Sequence, residues 1–506
     1  MLLIHPPAVR NCEPPVALLK LAGALRAAGD EPVILDGAVE AFEWLGNQPP
    51  YDDTDKRARR VRKNRNRIIS SLTGGGSEKS AYESPARYTK QVGDLNYMVS
   101  SALDTGTYRI TAADFEINGA SPLNRNDLIH AWNHPEESPF FPWFEKRLTE
   151  LQSGRGFSHM AVSVGYLSQA LTGMAITGYI RKKWPQVRVQ LGGSLITSWL
   201  RGINDCSFLN DLAHEVQEGA GEQSILRFRG LEWKGNGLPD PGDLYSLSYI
   251  APGPILPYSA SYGCSWKRCT FCNERWEDNP FKEEAAGQVS RNLAEMAARH
   301  EPALIHICDS EISLDLMKAL ISTPPGAPWY SFSRFFKELK DPVFCGALAR
   351  SGCRMLCLGL ESGDQDVLNA LQKGIRLDDV RIILENLKQT GIGTFVYVMF
   401  GTSTEDRSKA LRTRDFLLEN RNHIDFINAA VFSMPAGSRE LEALPSRPFY
   451  KGDLSLYRDF EHPLGFGRRE VREFMTRDLQ GCPEIREILN RTPPIFTSSH
   501  APFFIR

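Results

Sequence analysis

At 506 residues and 42% hydrophobic content, the chain is long enough to bury two or three separate cores. Its formal net charge of -2 argues against a general nucleic-acid binder or a protein that coats anionic membranes. The start, MLLIHPP, has no basic leader, and no apolar run approaches the roughly 18 residues of a spanning helix, so a cytoplasmic protein with no membrane partner is expected.

Residues 1 to 40 read as strand, helix, strand: LLIHPP, then PPVALLKLAGALRAAG with apolar residues at helical spacing and a Gly stop, then PVILDG. The pattern breaks near residue 45 and resumes near 156, where HMAVSVGY is an apolar strand-like run followed by a helix, ALTGMAITGYIRKKW. Another strand, VRVQLGG, and a strand-loop-helix, HEVQEGAGEQSILRF, follow. Strands alternating with helices make 1–44 and 156–235 a doubly wound, Rossmann-like α/β domain, whose ligands belong at the carboxyl ends of its strands. The loops there are Tyr166, Leu167, Ser168 and Gln169; Gly192, Gly193 and Ser194; and Gly219, Ala220, Gly221 and Glu222. Their small residues let a large ligand approach the backbone closely.

Residues 45–155 interrupt this domain and are expected to form a mainly helical cap. The insertion opens on Pro49 and Pro50, passes through the basic run KRARRVRKNRNR (56–67) and a turn at Gly74 to Gly76, and ends in the aromatic stretch HPEESPFFPWFEKRL. A basic run of this density could meet a phosphate-bearing substrate or RNA, but reads first as the solvated face of a helix. The aromatic stretch is expected to pack against the domain.

Three cysteines, Cys264, Cys269 and Cys272, then fall in a C-x4-C-x2-C run, GCSWKRCTFC, just after a strand-like segment. A two-iron ferredoxin shares this spacing but needs a fourth, distant cysteine, and the next here is Cys308. A zinc ribbon would want a second ligand pair, and none follows. Three ligands can also hold a four-iron cluster with one iron open. The other seven cysteines are scattered singly, too sparse for a disulfide framework, and read as reduced and mostly buried thiols.

From 257 onward strands and helices alternate. Six strands are expected at 257–262, 303–309, 329–334, 355–361, 394–400 and 425–433, with amphipathic helices such as RLDDVRIILENLKQTG between them. Over 245–440 this pattern is a partial (β/α)6 TIM-type barrel, with its site at the carboxyl ends of the strands. Strand ends there carry Asp309 and Glu311 (CDSEIS), Arg334, Glu361 with Ser362 (GLESG), and Lys373 nearby. Thr402 and Glu405 in GTSTED are spaced as a capping box. Residues 441–506 leave the repeat. A basic helix, GRREVREFMTRDL, and an aromatic tail, PPIFTSSHAPFFIR, suggest a mostly helical extension docked on the open side of the barrel.

GCSWKRCTFC, with Phe271 before its last cysteine, resembles the cluster loop of radical S-adenosylmethionine enzymes. The commonest spacing in that family is C-x3-C-x2-C, and the extra residue here is also seen in its cobalamin-type members. GLESG is a second match, and SMPAGS (433–438), with Met434, resembles the family's turn beside the adenine. GTSTED departs from the family's G-x-P-G-E-T. The three loops of the first domain resemble those lining the corrin in the cobalamin-binding subgroup.

The resemblance implies a 4Fe-4S cluster on Cys264, Cys269 and Cys272, with S-adenosylmethionine chelated at the open iron and split by one electron to a 5'-deoxyadenosyl radical. Asp309 or Glu311 could then accept from the ligand's ribose or ammonium group, and Arg334 could hold its carboxylate. It further implies cobalamin, and since no D-x-H-x-x-G occurs, one whose lower face has no protein histidine. The expected activity is methylation of an unactivated carbon of a small molecule or peptide, with an electron donor such as flavodoxin or ferredoxin. A radical rearrangement or cyclisation is the alternative within the class. Outside it stands an iron-sulfur electron carrier or redox sensor.

Overall fold

The structure, a computed structural model, describes residues 1–74, 80–495 and 500–505. Gly75 and Gly76 of the expected turn, and 496–499 of the aromatic tail, lie outside the described residues. The chain divides into two compact units: Met1–Glu83 with Arg87–Gly253 and Tyr450–Leu456, and Ser84–Ala86 with Pro254–Phe449 and Tyr457–Arg506.

Five strands of the first unit form one parallel sheet. In chain order the unit's strands are β1 (Leu2–His5), β2 (Val33–Asp36), β3 (Tyr108–Ile110), β4 (Phe115–Ile117), β5 (His159–Ser163), β6 (Arg188–Gly192) and β7 (Glu215–Val216). The sheet runs β2-β1-β5-β6-β7, while β3 and β4 make a separate hairpin. Strands buried on both faces read as continuous apolar runs, as LLIH does here, with Leu2, Leu3 and Ile4 fully buried. The order reverses between β1 and β5, so the loops leaving these two strands diverge and open a crevice at the carboxyl edge.

The insertion carries the helices Lys56–Lys63, Arg65–Thr73, Pro85–Ser100, Arg125–Asn133 and Phe141–Arg155 in addition to the hairpin. The helix Gly37–Asn47, capped by Asp36, runs straight through the point where the sequence pattern breaks. In the basic helix Ala58 and Val61 face inward and most of the cations are solvated. Arg62 is the exception. Its guanidinium donates to the carbonyls of Gln48 and Met98 and to Ser101 Oγ, at 2.8–2.9 Å, and so ties the helix to its neighbours.

The second unit is built on a six-stranded parallel sheet in chain order. Its strands are β8 (Ile255–Tyr258), then a short antiparallel pair β9 (Ser261–Tyr262) and β10 (Lys282–Glu283), then β11 (Leu304–Ile307), β12 (Trp329–Ser333), β13 (Cys353–Glu361), β14 (Gly393–Phe400) and β15 (Phe426–Val431). The segment expected as one strand over 257–262 breaks into β8 and β9. The break has a cause: the backbone N–H groups of Ala260 and Ser261 both donate to Asp309 Oδ1, at 2.8 and 3.0 Å, instead of continuing the sheet.

The extension is helical for most of its regular structure, with the helices Arg468–Phe474 and Pro483–Asn490, and adds strands that were not expected: β17 (Ser446–Pro448) and β18 (Tyr457–Phe460) join β16 (Met434–Pro435) in a three-stranded antiparallel sheet. These strands are short and partly polar, so no period-2 signal marks them. One expectation is corrected: the capping box at Thr402 and Glu405 is absent. Asp406 caps the helix Arg407–Glu419 by accepting from Lys409 N, and Glu405 turns inward to accept from Gly401 N at 2.6 Å.

Candidate functional site

The cysteine loop leaves β9 at the carboxyl end of the sheet's first strand. All ten cysteines are free thiols. Burial pushes the Cys264 thiol up, and Glu311 adds to it, while backbone N–H groups of Lys267 and Trp266 pull the other way. Burial likewise raises Cys272 to about 12, with the neighbouring Cys269 and Cys264 contributing. The three sulfurs thus sit within electrostatic reach of one another.

The loop is fastened from two sides. Glu311, 4% exposed, accepts through Oε1 from Ser265 N at 3.1 Å and from the Ser265 hydroxyl, and lies 3.5 Å from Cys264 Sγ. Its other oxygen is buried with no hydrogen bond and stands 3.6 Å from Arg334 Nε. On the other side the turn 371–374 receives the loop: Thr270 N donates to Leu371 O at 3.1 Å and Trp266 Nε1 to Gln372 O at 2.9 Å. Arg334 stacks on Trp266 at 4.4 Å and donates to Lys373 O. Gly374 (φ +73°) is required there, since a Cβ would fall 2.3 Å from the Trp266 ring.

In the first unit, the three small-residue loops are joined by hydrogen bonds. Ser194 Oγ donates to Gly165 O, Thr197 Oγ1 to Gly193 O, and Gly219 N to Thr197 Oγ1, each at 3.0 Å. Gly193 (φ +114°) lies so close to β5 that a Cβ would be 2.3 Å from Val164 O. Tyr166 and Leu167 stand exposed, at 48% and 37%, beside these loops.

No family model matches the chain. A bacteriochlorophyllide d C-12(1)-methyltransferase of Chlorobaculum tepidum is 28% identical over 124 residues, 24% of this chain and 25% of that relative, so the match spans a quarter of the relative's length. The radical S-adenosylmethionine methyltransferase TsrM of Kitasatospora setae, solved with tryptophan substrate and a S-adenosylmethionine analogue, superposes with a TM-score of 0.55. The identity is 13%, over 96% of this chain and 89% of that one. The cobalamin-dependent S-adenosylmethionine radical enzyme OxsB, solved with aqua-cobalamin and S-adenosylmethionine, superposes with a TM-score of 0.51 at 13% identity over 85% and 82% of the two chains. This chain has the fold of the cobalamin-dependent radical S-adenosylmethionine enzymes.

Within that radical S-adenosylmethionine fold, the residues singled out from sequence divide. Cys264, Cys269, Cys272, Glu311 and Arg334 come together around the loop. Phe271 packs at its edge, against the core of Val367, Leu371 and Met434 and 5.8 Å from Lys373 Nζ. Glu361 stands at the end of β13, paired with Lys373 at 2.7 Å.

Four of these side chains are buried and engaged by the protein itself. Asp309, 3% exposed, anchors the backbone of Ala260 and Ser261. Ser362, wholly buried, bonds Thr413 Oγ1 and caps Asp364 N. Met434, also wholly buried, is core. Gln169 accepts from Gly165 N and Tyr166 N and donates to His5 and Pro6 O, so it shapes its loop from inside. Asp309, Ser362 and Gln169 each accept from backbone N–H groups of the loops beside them, whereas Met434 packs in an apolar cluster.

Trp266 and Thr197 were not singled out from sequence, and of the turn 371–374 only Lys373 was. Trp266 lies inside the motif GCSWKRCTFC, and its contact with Gly374 cannot be read in one dimension. The C-terminal segment also contributes at strand ends, where Arg458, Asp459 and Arg468 border a small pocket beside Gly401 and Phe432.

Proposed function

We propose that the chain is a cobalamin-dependent radical S-adenosylmethionine methyltransferase acting on an unactivated carbon of a small-molecule or peptide substrate. The observation that carries this reading is the three-cysteine loop held at the strand ends by Glu311 and the turn 371–374, in a chain of this fold. Cys264, Cys269 and Cys272 would hold the 4Fe-4S cluster. Cys308, the next cysteine, points its thiol at the His306 carbonyl, 3.4 Å away. Arg334 and Glu311 offer charges of opposite sign beside Cys264, which suits a ligand carrying both a carboxylate and an ammonium group.

The linked loops at Tyr166–Ser168, Gly192–Ser194 and Gly219–Glu222 are the proposed corrin seat, and His5 is not its lower ligand. When bound, the two cofactors supply a hydrogen-abstracting radical and a transferable methyl group. The chain holds the cluster loop rigid, keeps Glu311 and Arg334 oriented, and shields the strand ends from water. In this reading 1–44 with 156–235 is the cobalamin domain, 45–155 its cap, 245–440 a partial barrel, and 441–506 the closing segment. A flavodoxin or ferredoxin in the cytosol would donate the electron.

The test is anaerobic purification and reconstitution. Cluster absorption, 5'-deoxyadenosine formed with a reductant, and transfer of labelled methyl from S-adenosylmethionine to product are expected. Cys269→Ala should lose cleavage and keep cobalamin. An unlabelled product would point to rearrangement or cyclisation instead. A cluster blind to S-adenosylmethionine would leave only an electron carrier or redox sensor.

A further inference from the structure

The segment leaving β11 touches the cysteine loop through three successive residues. Asp309 holds the backbone N–H groups of Ala260 and Ser261 ahead of the loop, and Glu311 holds Ser265 within it. Between them Ser310 reaches the loop's exit, where its hydroxyl donates to Glu274 Oε1 at 2.8 Å. One tripeptide thus pins the chain from 260 to 274 at its start, middle and end. The exit needs this tie, because the helix that follows, Asn273–Trp276, is a single turn, too short to hold its own shape.

The carboxylate so held is half-buried and lies close to a cluster cysteine. The Glu274 backbone N–H donates to the Cys272 sulfur, and the Glu274 charge also acts on that sulfur. Oε2 is buried without a hydrogen-bond partner, and among the described residues no lysine or arginine pairs with the carboxylate. The hydroxyl donated by Ser310 to Oε1 favours the charged form. Away from bulk water, a negative charge that no cation cancels acts strongly on its neighbours.

We infer that Ser310 and Glu274 are positioning residues for the cluster: Ser310 fixes the Glu274 carboxylate beside Cys272, and its uncancelled negative charge holds the cluster's reduction potential low. This role rests on the reading of Cys264, Cys269 and Cys272 as cluster ligands. Net charge is one of the levers that set the potential of iron-sulfur clusters, and a more reducing cluster passes its electron to a sulfonium more readily.

The measurement is a redox titration of the anaerobically reconstituted full chain, followed by the paramagnetic signal of the reduced cluster. Glu274→Gln keeps an acceptor for Ser310 and removes the charge. It should favour the reduced cluster about tenfold, a rise of about 59 mV for one electron, with iron and sulfide per chain unchanged. Ser310→Ala keeps the charge but frees the side chain, so it should raise the potential by less, and Ser310→Thr, which retains the hydroxyl, should restore it. Glu295→Gln removes an exposed carboxylate from the helix Ala286–His300 and should leave the potential where it is. A potential unmoved in Glu274→Gln, or moved as far in Glu295→Gln, overturns the role of Glu274. One unmoved in Ser310→Ala overturns that of Ser310. Unaltered protein that takes up no cluster overturns the cysteine assignment itself, and this role with it.

Discussion

Lys373 Nζ stands 2.7 Å from Glu361 Oε1, and the two side chains are only 8% and 13% exposed. Glu361 reaches this position with φ +69°, at an irregularity where β13 meets β14, and a Cβ on Gly359 would lie 2.5 Å from its carboxylate. The pair sits at the mouth of the second unit's sheet, and Lys373 also passes its carbonyl to Arg334. It therefore links the GLESG turn to the seat of the cluster loop.

Removing one member of such a pair leaves a buried charge alone. Lys373→Met should cost on the order of 3 kcal/mol in denaturant unfolding, and Glu361→Gln less, because the amide still accepts from Lys373. The double substitution should recover most of the loss, since two apolar or neutral groups no longer carry a desolvation penalty. Losses that simply add would mean that the two residues act separately, with Glu361 serving a ligand and not Lys373.

Glu311 fastens Ser265 beside Cys264. In Glu311→Ala the loop loses this anchor and Arg334 its partner, so iron and acid-labile sulfide bound per chain should fall by roughly tenfold under limiting iron, in the range known for outer-shell metal partners. Glu311→Gln should retain more, because its amide oxygen can still accept from Ser265. Equal loading in all three proteins would show that the cysteines need no such support.

Much of this was legible in one dimension. The cysteine spacing, the alternation of apolar runs with Gly-stopped helices, and GLESG each follow from local chemistry that one stretch of chain contains. Side-chain direction was not. Asp309 and Ser362 occupy strand ends as expected, yet each is buried, because a loop leaving a sheet has backbone N–H groups that must be paired, and Met434 is buried by apolar packing. The contact of Trp266 with Gly374 joins positions over a hundred residues apart, and the short strands of residues 446–460 depend on tertiary pairing.

Glu405 predicts a pH dependence. Burial raises its carboxyl from 4.5 to about 8, against the favourable hydrogen bond from Gly401 N. The folded state therefore keeps a proton that the unfolded chain has already lost. This stabilising contribution is complete below pH 4.5, declines as pH rises, and is gone above about 8. Glu405→Gln should remove that slope, leaving the variant more stable than the unaltered chain at pH 8.5, by an amount on the order of 3 kcal/mol. Parallel stability curves for the two proteins between pH 5 and 8.5 would exclude Glu405 as the source.

The proposal that cobalamin binds without a histidine beneath its cobalt makes a prediction about His5. Desolvation lowers its pKa to about 4, so the ring is neutral at pH 7, and its Nε2 faces the Gln169 side-chain amide at 3.1 Å. To accept that N–H the imidazole must carry its proton on Nδ1, which leaves no lone pair for a metal. Gln169 is held in turn by Pro6 O, Gly165 N and Tyr166 N, so the ring cannot be released without disturbing the loop at Gly165–Gln169. In protein loaded with cobalamin and reduced to Co(II), the paramagnetic spectrum should show no nitrogen splitting that changes on labelling histidine with nitrogen-15. His5→Ala should leave that spectrum as it is while lowering stability, because Gln169 loses an acceptor. Label-sensitive splitting that disappears in His5→Ala would make His5 the lower ligand and overturn the assignment.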